Sequence, residues 1–126
     1  MPLKLRLAAA LIVAPIAAQA ADMPNRQIVQ ETRGCIAARR SPILDLPTSG
    51  QMRQEVDQRL VTAIEIATSE RTISNTSPRF VWASETKAYC GMAVGFFDGG
   101  EVNEETVTKC DCFYERMQRF NQASAR

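Results

Sequence analysis

The chain has no histidine, which removes most hydrolytic chemistry before any motif is considered. Without an imidazole, neither a Ser-His-Asp nor a Cys-His nucleophile system can be assembled. An excess of charge is missing as well: 15 lysines and arginines stand against 14 aspartates and glutamates. Phosphate backbones are held by a concentrated positive patch, so nucleic acid is not an expected partner. Aromatic side chains are 6% of the residues, with a single tryptophan, so the core has few large side chains to draw on. Long apolar runs are absent too. The longest, Leu7 to Ala18, is shorter than the ~20 residues of a membrane span and is interrupted by Pro15.

What stands at the start is a basic end (Lys4, Arg6), that apolar run, and the small-x-small sequence Ala18-Gln19-Ala20. This is the order of a secretory signal with its cleavage site. Residues 1–20 are therefore expected to be removed, and no cysteine follows the junction to carry a lipid. Losing Lys4 and Arg6 leaves 13 basic and 14 acidic residues in a mature chain, 21–126, expected to be one helical domain that is periplasmic and does not span the membrane.

A domain of that size buries a core with little margin. All four cysteines, Cys35, Cys90, Cys110 and Cys112, lie in the mature part. An even number in an exported chain reads as a disulfide framework, and each bridge contributes on the order of 2–4 kcal/mol.

Helical spacing runs through most of the chain. Ile28, Val29, Thr32, Cys35 and Ile36 mark a first helix from Pro24 to Arg40, which Ser41-Pro42 ends because the residue before proline is pushed out of helical geometry. Ile43 to Gly50 reads as an apolar-tipped loop. Met52, Val56, Leu60, Ala63, Ile64 and Ala67 step by three and four, an amphipathic helix of about five turns. The polar stretch Ser69 to Ser77 reads as a surface loop. Ser77-Pro78 suits the start of a third helix running through Phe97, with a short extended piece over Arg79 to Ala83 as the competing reading, since Phe80, Val81 and Trp82 favour strands. Gly99-Gly100 stops it. Asn103, followed by Glu104 and Glu105, caps a last helix whose stripe is Val107, Cys110, Phe113, Tyr114, Met117 and Phe120. The expected fold is all-α, a small disulfide-stapled bundle of three to four helices.

If the helices flanking Gly99-Gly100 lie antiparallel, residues equidistant from the turn face each other. Cys90 and Cys110 each lie ten positions from Gly100, which favours a Cys90–Cys110 bridge. Cys112 sits about 200° around the helix from Cys110, and Cys35 is then its partner by elimination. Exchanging Cys110 for Cys112 shifts the register by only half a turn, so all three connectivities of four cysteines stay open.

The other chemistry for Cys110-Asp111-Cys112 is a soft-metal site, with Met92 and Met117 adding thioethers, a donor set suited to copper(I). Zinc fits poorly, since its sites use Cys-x2–4-Cys spacings or histidines. Redox enzymes place Cys-x-x-Cys at a helix start, unlike this internal Cys-x-Cys. Structural cystine is the favoured reading, and no metal or cofactor is expected. Ser84-Glu85-Thr86-Lys87 matches a Ser-x-x-Lys spacing, but the companion Ser-Asp-Asn and Lys-Thr-Gly motifs are missing. Glu101, Glu104 and Glu105 form the one acid cluster, and a helix start accounts for them. No catalytic residue is assigned. Ser84, Ala88, Gly91 and Gly95 form a seam of small side chains along the third helix, expected to receive the second or last helix of the bundle; a docking groove for another protein is the alternative.

The cysteine on the first mature helix, Arg33-Gly34-Cys35-Ile36-Ala37, and the Cys-Gly-rich helix Cys90 to Asp98 resemble the small periplasmic immunity proteins that protect bacteria from cell-wall amidases of type VI secretion. The Cys110-Asp111-Cys112-Phe113-Tyr114 run has no counterpart in that pattern. The resemblance implies an inhibitor that plugs the active-site cleft of a secreted hydrolase. On this reading the exposed apolar tip Ile43-Leu44-Asp45-Leu46 is the candidate contact. The alternatives are an envelope chaperone or secretion assembly factor using the Met52 to Ala67 stripe, and a Cys/Met metal binder. Expressed with export, the protein is expected to begin at Ala21 and to carry no alkylatable thiol. Intact-mass measurement checks both, and a retained N-terminus or free cysteines contradicts the reading.

Overall fold

A computed structural model describes residues 23–69 and 77–124; the expected signal sequence and most of the polar stretch after Ser69 lie outside them. Four α-helices follow in order, α1 (Met23–Ile36), α2 (Ser49–Thr68), α3 (Pro78–Asp98) and α4 (Glu104–Ser124), with a 3-10 turn over Pro42–Asp45 between α1 and α2. The described residues contain no strand, and the chain forms the disulfide-stapled all-α bundle. No helix among them is long and apolar enough to cross a membrane.

Local signals explain most boundaries. The Ser77 hydroxyl accepts from the Phe80 N–H, and Pro78 occupies the first turn, where its missing N–H costs nothing. Arg79 to Ala83 are therefore helical. Asn103 caps α4 by accepting from the Thr106 N–H at 3.0 Å, and Glu104 and Glu105 stand in its first turn, where the helix dipole favours them. Between α3 and α4, Gly100 has φ +80°, a left-handed conformation that glycine adopts without a Cβ penalty.

Two boundaries differ from the sequence expectation. The first helix ends at Ile36 rather than Arg40: a turn at Ala37 closes on Arg33, and extended chain follows to Ser41. The second begins at Ser49, earlier than Met52, because Thr48 caps it by accepting from the Gln51 N–H.

Helix α3 packs against both α2 and α4, and α1 lies on α4. Trp82, Phe113, Met117, Ala63, Ile66, Ala83 and Cys35 form one buried cluster; a second gathers Val56, Cys90, Ala93, Val107 and Cys110 with Ile43 and Leu44. Trp82 is fully buried and its ring stacks at 6.0 Å from Phe113 and 6.3 Å from Phe120. Truncating a buried aromatic costs lost transfer energy plus a cavity. Trp82→Ala is expected to lower stability by about 3–5 kcal/mol, read by urea unfolding followed by circular dichroism; a loss under about 1 kcal/mol contradicts this packing.

Candidate functional site

Three consecutive residues of α4 reach three different parts of the molecule. Cys110 is bonded to Cys90 of α3, with Cα atoms 4.6 Å apart, and Cys112 is bonded to Cys35 of α1, with Cα atoms 5.5 Å apart. Between them Asp111, only 7% exposed, turns to the remaining elements. One of its carboxylate oxygens accepts from the Ser41 hydroxyl at 2.6 Å and the other from Arg59 Nε of α2 at 2.9 Å.

Ser41 ties down the 3-10 turn. Its hydroxyl accepts from the Ile43 N–H at 3.1 Å while donating to Asp111, and its own N–H donates to the Thr108 hydroxyl at 3.3 Å. Arg59 also donates to the Glu55 carboxylate at 2.7 Å and lies 4.9 Å from the centre of the Tyr114 ring. Burial pulls the Arg59 pKa down, but its hydrogen bond to Glu55 and the Asp111 charge outweigh it, and the net shift is upward. The guanidinium thus stays charged and Asp111 keeps its partner.

This anchoring overturns the expectation of an exposed tip at Ile43, Leu44, Asp45 and Leu46. Ile43 and Leu44 are buried in the second cluster and Leu46 packs on its edge. Asp45 alone of the four is exposed, and it pairs with Arg40. The turn is an internal plug, because Ser41 holds the chain onto α4 and its apolar side chains then point inward.

The soft-metal donors are not assembled. The described residues hold no free cysteine, so Cys110 and Cys112 offer no thiolate in this state. Met92 is 46% exposed on α3, whereas Met117 is fully buried. Among the described residues, no three or more His, Cys, Asp or Glu side chains are grouped to hold a metal ion. The acid cluster at the start of α4 is occupied by neighbours: Glu104 faces Arg40 and Glu105 pairs with Lys109. Lys87 is exposed, and Thr86 is buried with its hydroxyl donating to the Trp82 carbonyl.

The small-residue seam on α3 is the second correction. Ala88 and Gly95 are exposed, Ser84 and Gly91 are half-buried, and a Cβ at either glycine would meet nothing within 4 Å. Among the described residues no helix covers it. The inward face of α3 is instead Trp82, Ala83, Thr86, Cys90 and Ala93. Beside the seam stand Met92 and Phe96, 46% and 36% exposed. The sequence signal for this orientation is Cys90: at ~100° per residue, Ser84, Ala88, Gly91 and Gly95 lie roughly 100–160° around the helix from it.

Compared with protein-family models, curated proteins and solved structures, the chain matches none.

Removing one member of a buried ion pair leaves the other charge stranded. Asp111→Ala is expected to cost about 2–3 kcal/mol, below the fully buried limit because the Arg59 side chain keeps 18% of its exposure. Ser41→Ala should cost about 1–2 kcal/mol through the lost cap. The double variant should lose less than the sum, since both act on one network. Urea unfolding of the three proteins measures this, and strict additivity contradicts a shared network.

Proposed function

We propose that this chain is a non-catalytic, exported protein of the cell envelope that acts by binding another protein. Its most concrete form is an inhibitor occluding a cell-wall hydrolase of the kind delivered by type VI secretion. The observation that carries the reading is the outward seam on α3. A glycine inside a helix costs roughly 0.5–1 kcal/mol relative to alanine, and among the described residues no close neighbour requires a glycine at Gly91 or Gly95. A partner backbone lying along the seam gives them a use, and Met92 and Phe96 supply the partly exposed apolar anchors on which interfaces depend.

The Cys90–Cys110 bridge also fixes α3 to α4 before any partner arrives, which lowers the ordering cost of association. The other two readings draw less support from the fold. In the stripe offered for a chaperone, Val56 and Ala63 are buried in the core while Ile64 is exposed, and Cys110 and Cys112, offered for a metal, are bonded to Cys90 and Cys35.

Mature protein immobilised in periplasmic extract, followed by calorimetry on the purified pair and assay of cell-wall hydrolysis, tests the proposal. Ala88→Arg and Gly95→Arg are expected to keep the native circular dichroism spectrum while weakening binding at least about tenfold, or 1.4 kcal/mol. A hydrolase that stays fully active with the protein bound, or binding indifferent to both substitutions, sinks the inhibitor reading.

A further inference from the structure

The two disulfides sit in different surroundings. Cys90 and Cys110 are both fully buried, inside the second core cluster where α3 and α4 pack. Cys112 is partly exposed, and its partner Cys35 is the one buried side chain among those described in α1. Val29 and Ile36, on the apolar stripe of α1, remain 46% and 55% exposed. The described side chains of α1 therefore bury little surface, and α4 is the main element the helix lies on. A crevice of about 220 Å³, lined by Cys35, Ile36, Arg40, Glu104, Thr108 and Lys109, opens where the end of α1 meets the start of α4.

We propose that Cys35–Cys112 is a redox latch: its reduction by a dithiol releases residues 23–39 from α4 while the bundle of α2, α3 and α4 stays closed. A thiolate of the reductant attacks Sγ of Cys112, the partly exposed residue of the pair. The Sγ–Sγ bond breaks and its electron pair leaves on Cys35 as a thiolate, which takes a proton from water. The second thiol of the reductant loses its proton and attacks the mixed disulfide. Cys112 departs as a thiolate and is protonated in turn, and the reductant ends as its own disulfide. Two electrons and two protons have then passed from the dithiol to Cys35 and Cys112.

The structure sets the extent of the release. Arg40 donates to the Leu44 carbonyl and pairs with Asp45, and Ser41 is held by Asp111 and Thr108, so the freed segment stops before Arg40. Cys35 leaves the cluster of Trp82, Phe113 and Met117, uncovering that side of the core. Attack on Cys90–Cys110 needs α3 and α4 to part, an opening near the free energy of global unfolding, whereas the outer bridge needs only local access.

The purified oxidised protein is treated with graded dithiothreitol, quenched by alkylation and mapped by mass spectrometry, with hydrogen exchange followed on the same samples. Cys35 and Cys112 are expected to be alkylated at least about tenfold faster than Cys90 and Cys110. Exchange should rise over residues 29–38 while α3 and α4 keep their protection. The Cys35→Ser/Cys112→Ser double variant should show the same exchange pattern with Cys90–Cys110 intact. Equal rates for the two bridges, earlier opening of Cys90–Cys110, or unchanged exchange in α1 after the outer bridge opens overturns the latch. No partner enters the experiment, so its outcome is separate from that of the inhibitor proposal.

Discussion

The structure depends on a single stretch of α4, Cys110-Asp111-Cys112. Successive residues of a helix point ~100° apart, so two cysteines separated by one residue cannot serve the same neighbour. Here they serve two: Cys110 holds α3 and Cys112 holds α1. The residue between them fills the remaining direction with the strongest non-covalent link available, a carboxylate shared by Arg59 of α2 and Ser41 before the 3-10 turn. Three adjacent side chains thus bind one helix to every other element. Helix α4 is the post on which the molecule is assembled, which suits a chain whose small core leaves little margin.

The two bridges do different work because the chain between their ends differs. Cys90 and Cys110 are 20 residues apart, Cys35 and Cys112 are 77 apart. On loop-closure entropy alone these correspond to roughly 3 and roughly 4–5 kcal/mol. The shorter bridge closes a hairpin whose helices already bury Val107, Ala93 and Trp82, so it adds to a contact that exists without it. The longer one recruits an element that brings Cys35 alone, among its described side chains, into the core. More entropy is therefore relieved where less packing is gained, and position rather than loop length decides which bridge the fold needs most.

Much of the architecture was legible because it is written locally. Ser77-Pro78, Asn103-Glu104-Glu105 and Gly99-Gly100 are start and stop signals whose partners lie within four residues, and helix periodicity is equally local. The Cys90 and Cys110 pair was legible for a related reason: once two helices flank a short turn, distance from the turn sets who faces whom. Ser41 and Asp111 were not, because they are 70 positions apart and neither residue type announces a partner. The burial of Ile43 and Leu44 follows from that same long-range bond, so an apolar tip that looked available for insertion into another protein is spent inside this one. Thr48 was a local cap that periodicity alone passed over.

The outward face of α3 shows where a pattern read on its own misleads. A seam of small residues usually marks a close helix–helix contact, and Ser84, Ala88, Gly91 and Gly95 have the spacing for one. Rotation of the helix is set by its largest and most constrained members, however. Trp82 goes inward for its area, and Cys90 goes inward because its bond to Cys110 leaves no other direction. Ala93 follows at three residues beyond Cys90 and Thr86 at four before it, and the seam is carried to the opposite side. Small residues do not set a helix's rotation, because they bring least area to bury; Ala83 and Ala93 are buried because they share the face of Trp82 and Cys90. A glycine pair left facing outward, with no left-handed backbone to justify it and no neighbour to crowd it, destabilises the helix without helping the fold. The partner backbone proposed to lie along the seam is what would give that pair a use.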